Sequence, residues 1–196
     1  SDGTFSFSDS FNFDFDNRDG VSAGSYDFES VVLHEIGHVL GFMSAVDEID
    51  YRLAQGETTI DGIAPTILDL FRFDSDNLPT DDAEFAEFGR DLSTEDSASL
   101  SDTSIAYTME TGTATGSGQQ ASHFKDNGEI GTMDPTLSPG ELAVLSAADL
   151  LALDLIGWDV NPEAFLAIPE PAATALLTAS LALLCVMRRR SHMLVR

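Results

Sequence analysis

The sequence predicts one α+β domain, and three observations carry that prediction. Residues 4–16 read TFSFSDSFNFDFD, where Phe5, Phe7, Phe11, Phe13 and Phe15 keep odd-numbered spacing. A period of two is the signature of a strand, or a pair of strands, with one apolar face. Residues 27–42, DFESVVLHEIGHVLGF, contain no proline and keep apolar residues on helical spacing. Further on, SIAYTME (104–110) suits a strand and Leu142, Leu145, Leu150, Leu153 and Ile156 mark a second long helix. A chain of 196 residues with 43% apolar residues has room for such a domain and its core.

Taken in order, Asp19-Gly20 marks a turn after the aromatic stretch. Ser25 or Asp27 can cap the first helix, and Asp27 and Glu29 suit the positive end of its dipole. Residues 65–73 read as a short helix or a strand, 81–88 as a helical piece, and TGTATGSGQQ (111–120) as a flexible loop. Met133-Asp134-Pro135 is a turn, and Pro139 sits where a proline belongs in the first turn of the second long helix, which stops at Gly157.

The charge is lopsided, with 9 Lys+Arg against 34 Asp+Glu and a formal net charge of −25. Such a surface repels phosphates, which excludes nucleic acid as a partner. The lone Cys185 cannot form an intramolecular disulfide.

His34-Glu35-Ile36-Gly37-His38 concentrates the chemistry. Four residues make about one helical turn, so both imidazoles project from one face and can grip one metal ion, here Zn²⁺. Glu35 lies between them, placed to accept a proton from a zinc-activated water attacking a carbonyl. The plainer reading is an amphipathic core helix in which Val31, Val32, Leu33, Ile36, Val39 and Leu40 are buried; two histidines and a glutamate there would each need a polar partner. A catalytic zinc usually takes three protein ligands. His123, the one other imidazole outside the basic tail, and the carboxylates Asp47 and Glu48 are competing sources of the third. Gly41 reads as a helix-ending glycine and Met133 as a core filler.

HEIGHVLGF resembles the start of the metzincin zinc-peptidase motif HExxHxxGxxH, in which Gly41 would turn the chain beneath the metal. Position 44, where the third histidine of the short motif falls, is Ser44. The pattern is instead similar to the leishmanolysin-like branch, where a long insertion precedes a Ser-His segment, a methionine turn and a helix ending in a Gly-aromatic pair. Ser122-His123, Met133-Asp134-Pro135 and Gly157-Trp158 follow that order. The resemblance implies a metzincin-like catalytic domain over residues 1–160, with His34, His38 and His123 as zinc ligands, Glu35 as general base and Met133 as the turn beneath the zinc. It also implies a peptide or protein substrate and an edge strand above the active-site helix, for which the Phe5–Phe15 stretch is the candidate. The family's upper subdomain needs several strands before that helix, so the chain is expected to be an N-terminally truncated fragment.

After Trp158 the character changes. Residues 161–171 form a Pro-containing linker, and 172–187 are uncharged and apolar ahead of Arg188-Arg189-Arg190. Sixteen helical residues span about 24 Å, short of a hydrocarbon core of about 30 Å. Pro169-Glu170-Pro171, this apolar helix and the arginine cluster resemble the PEP-CTERM sorting signal of Gram-negative bacteria. That resemblance implies that 172–196 anchors transiently in the inner membrane and is processed by an exosortase, leaving the body exported, at the cell surface or outside the cell. Asp14–Gly20 lies one residue off the D-x-D-x-D-G spacing of a calcium loop, which makes it a solvated turn first and a Ca²⁺ site second. The expected function is thus an exported zinc metalloendopeptidase. The alternative is a non-enzymatic surface or matrix protein holding a structural metal.

Overall fold

Asp27 begins the first helix, α1 (Phe28–Leu40), by accepting the Ser30 N–H at 2.7 Å on its carboxylate. Gly41 ends it at φ +113°, a left-handed conformation that a side chain would strain. The computed structural model describes residues 4–95, 97–126 and 130–161. All but the last of them fall in one compact unit ending at Val160.

The aromatic stretch departs from its predicted strand. Only β1 (Phe13–Asp14) forms, paired in parallel with β2 (Tyr26–Asp27). The alternating phenylalanines gather as rings instead: Phe7, Phe13 and Phe15 pack on Phe28 at centroid distances of 5.1, 5.4 and 4.8 Å. This cluster lies at the surface, with Phe15 76% exposed, so the stretch is neither a core-facing strand nor a continuous edge strand. Nor is α1 a core helix. Among its residues only Ser30 is fully buried, and the apolar positions expected inside are half-buried, with Val39 exposed.

A second helix, α2 (Val46–Ala54), begins five residues after Gly41, where periodicity had not revealed one. Residues 65–73 combine both forms expected of them, as a 3₁₀ turn (Leu68–Phe71) running into β3 (Arg72–Asp74). Next comes α3 (Asp82–Glu87), capped by the Asp81 carboxylate on the N–H groups of Ala83 and Glu84. β4 (Ala98–Ser101) lies between β3 and β5 (Ala106–Met109) in an antiparallel sheet of order β3-β4-β5.

The last helix, α4 (Ala147–Leu155), is shorter than predicted. Pro139-Gly140 makes a turn whose Gly140 N–H donates to the Ser25 carbonyl, and the helix starts only at Ser146. There a reciprocal box forms: the Ser146 hydroxyl accepts the Asp149 N–H while the Asp149 carboxylate accepts the Ser146 N–H. The core lies between the sheet, the 3₁₀ turn and α4, and is built of Phe42, Leu68, Leu100, Met109, Phe124, Met133, Ala148, Ala152 and Ile156.

Candidate metal centre

Helical spacing sets His34 and His38 on one face of α1, with ring centroids 4.7 Å apart. His123 arrives from the other end of the fold. Its carbonyl accepts the Glu110 N–H at the end of β5, and the next residue, Phe124, donates its N–H to the Met133 carbonyl. Phe124 anchors the segment by packing on Phe42 and Tyr107 in the core. The His34 and His123 rings consequently stack at 5.0 Å.

Each imidazole donates its Nδ1–H to a main-chain carbonyl: His34 to Thr132 at 2.7 Å, His38 to Phe42 at 2.9 Å and His123 to Gln120 at 3.1 Å. A carbonyl only accepts, so each Nδ1 holds the proton and each Nε2 is bare. The Nε2 atoms of His38 and His123 each lie 3.1 Å from that of His34. Three lone pairs therefore face one point, an arrangement a cation satisfies and hydrogen bonds among the three cannot. Burial holds the His34 imidazole below its ordinary pKa and, aided by the neighbouring rings of His38 and His34, lowers that of His123 to about 4. Burial thus favours the neutral form of His34 and His123, the form in which an imidazole binds a metal.

Three Nε2 donors, each oriented through Nδ1 by a second hydrogen bond, are a donor set zinc accepts. Among the described residues this is the one group of three or more His, Cys, Asp or Glu side chains with ligand atoms close enough to share an ion, all within 4.8 Å. Glu35 sits outside it. With His38, Val39, Met43 and residues 4–7, it lines a cleft of about 280 Å³.

The carboxylates that competed for the third ligand are engaged elsewhere. Asp47 accepts the N–H of Ala121 at 2.6 Å and of Ser122 at 3.2 Å, along with the Ser122 hydroxyl. Glu48 pairs with Arg52 one turn on. Ser44, where the short motif has histidine, is buried and donates its hydroxyl to Asp69. Two of the Asp14–Gly20 carboxylates are likewise engaged at the surface, Asp14 by the N–H of Ser22 and Asp16 by Arg18.

Met133 is buried with its sulfur against Gly37, where a methyl group would overlap it; Gly37 is the residue that lets the turn approach α1 between the two histidines. The turn itself is held by Asp149, which accepts the N–H of Thr132 at 2.9 Å and of Met133 at 3.0 Å. Burial raises the Asp149 pKa against these bonds. Gly37, Thr132 and Asp149 went unnoticed in the sequence. The one signal available was the Ser146-x-x-Asp149 spacing that opens an otherwise apolar helix.

Pro169, Glu170, Pro171, Arg188, Arg189 and Arg190, with the linker beyond Asn161 and the apolar segment 172–196, lie outside the described residues. Among the described residues no helix is long and apolar enough to cross a membrane. Set beside protein-family models, curated proteins and solved structures, the chain matches none.

Proposed function

We propose that the chain is a zinc-dependent metalloendopeptidase of the metzincin type, exported and sorted through its C-terminal segment. The observation that supports this reading best is the set of three bare Nε2 atoms beside a cleft lined by Glu35. When bound by His34, His38 and His123, zinc supplies a Lewis acid that polarises a peptide carbonyl and eases deprotonation of water. The cleft borders His38, and Val39 and Met43 in its lining would offer a peptide apolar contact. A Glu35 carboxylate oxygen takes a proton from the attacking water and delivers it to the leaving amine nitrogen, so water adds across the C–N bond. A structural metal, the alternative, calls for a fourth protein ligand, and none joins the three histidines among the described residues.

Metal analysis and cleavage of an unstructured peptide library by the purified chain test the reading. Glu35→Gln should keep stoichiometric zinc and lose about 10²–10⁴-fold in kcat/KM, because an amide cannot accept the proton. A wild-type chain that holds zinc and cleaves nothing would favour the structural alternative, and equal activity in the variant would move the base elsewhere.

A further inference from the structure

The third histidine belongs to a loop that Gly, Ser and Thr residues would leave loose, yet its Nε2 lies 3.1 Å from that of His34 and within 4.8 Å of that of His38. Something must hold that loop to the helix pair. The Glu110–His123 and Phe124–Met133 main-chain bonds secure the C-terminal side of the segment. So does the buried Glu110 carboxylate, which accepts the Asp126 N–H at 2.6 Å and the Lys125 ammonium at 3.0 Å. None of these reaches the residues just before His123. Asp47 does, through all three donors that Ala121 and Ser122 offer.

We propose that Asp47 is a positioning residue of the metal centre: its carboxylate fixes the Ala121–Ser122 main chain so that His123 Nε2 converges with those of His34 and His38. The inference rests on the reading of the three histidines as metal ligands. Its geometry is a short circuit. The Ser122 hydroxyl donates to Asp47 and accepts the Ser44 N–H at 2.8 Å, so the chain leaving α1 is stitched to a segment 78 positions later. Ser44 and Ala45 are themselves held by the fully buried Asp69, through the Ser44 hydroxyl at 2.6 Å and the Ala45 N–H at 2.9 Å. Asp47 thus transmits the placement of α1 to its third partner without touching any imidazole. Two carboxylate oxygens facing three donors suit this work, whereas an amide would set its NH₂ against one of them.

Asp50, one turn along α2, supplies a built-in comparison. It accepts the N–H groups of Ala114 at 2.9 Å and Thr115 at 2.7 Å, pinning the same loop but away from His123. Wild type, Asp47→Asn, Asp47→Glu and Asp50→Asn are to be compared as full chains. Cobalt(II) titration followed by its d–d absorption, zinc competition against a chromophoric chelator, and melting of the metal-free proteins are the readouts. Asp47→Asn should lower zinc affinity about 10–100-fold, the range for residues that orient ligands from behind. It should also change the cobalt band shape, and Asp47→Glu should recover part of the affinity. Asp50→Asn should lower the metal-free Tm and leave affinity and band shape as in wild type. Should Asp47→Asn not fold, Ser122→Ala removes one of the three donors and is expected to lose affinity by a smaller factor. The proposal is overturned if Asp47→Asn, or Ser122→Ala in its stead, melts lower but binds zinc and cobalt like wild type. Failure of the wild type to bind either ion would instead overturn the ligand reading itself, and the proposal with it.

Discussion

Three main-chain oxygens, those of Thr132, Phe42 and Gln120, decide the protonation of the candidate centre, because each claims the Nδ1 proton of one imidazole. This makes the metal-free protein acid-sensitive in a definite window. His34 and His123 are held below their ordinary pKa of 6.5 in the fold, His123 at about 4, chiefly by burial. On acidification the unfolded chain takes up protons first. Stability contributed by these groups is whole above pH 6.5 and falls as pH drops below it, the His123 part ceasing to fall once pH has passed about 4. Melting of the EDTA-treated protein across that range should show the decline, and His123→Gln should flatten it. An unchanged slope in the variant would place the acid-sensitive groups elsewhere. His34 and His38 were legible as a pair because i, i+4 spacing is itself a geometric statement. His123 was not, since nothing local distinguishes a ligand from a solvated loop histidine; the resemblance alone singled it out. Asp47 shows the converse, for an acid just beyond the helix reads alike whether it binds an ion or three main-chain and hydroxyl donors.

At the scale of elements, α4 does more than fill the core. Its first turn carries Asp149, whose carboxylate serves Thr132, Met133 and Ser146 together. Asp149→Ala should remove the box that starts the helix and leave two buried N–H groups unpaired, at about 1–3 kcal/mol for each unsatisfied group. A loss of about 3 kcal/mol or more in urea unfolding is expected, against less than about 0.5 kcal/mol for the exposed Asp154→Ala. Equal losses would mean that the Met133 turn holds without Asp149. The sequence placed the start of this helix at Pro139 because proline favours a first turn; Gly140 at φ +87° and the Ser146 box moved it on. The helix α2 escaped notice for a related reason. VDEIDYRLA keeps Val46, Ile49 and Leu53 on helical spacing, but it is only nine residues long and turns Asp47 and Asp50 inward among them, which breaks up the apolar face. The paired strands suffered the opposite error: in the 5–15 stretch a true period of two built a ring cluster around Phe28.

For the whole molecule the dominant quantity is the formal charge of −25. Like charges spread over one small body repel, and the repulsion reaches about 30 Å at 0.01 M salt but only about 8 Å at 0.15 M. Tm should therefore climb with sodium chloride across that interval and then level off. A flat response would show that the acids are compensated locally, as Asp16 is by Arg18 and Glu110 by Lys125. The α+β character and the order of the main pieces followed from composition and period, whereas the inward use of acids, which organises the centre, has no signature in either. One of the contacts between early and late parts of the chain reaches the end of α1. The Trp158 indole donates its N–H to the Leu40 carbonyl at 2.8 Å, two residues beyond His38. Trp158 is the sole tryptophan of the chain and half exposed. The protein thus carries its own fluorophore, clipped to the end of the helix that bears two of the histidines. Emission from that ring reports whether the last turn of α1 is docked, with no label added and no substrate in hand.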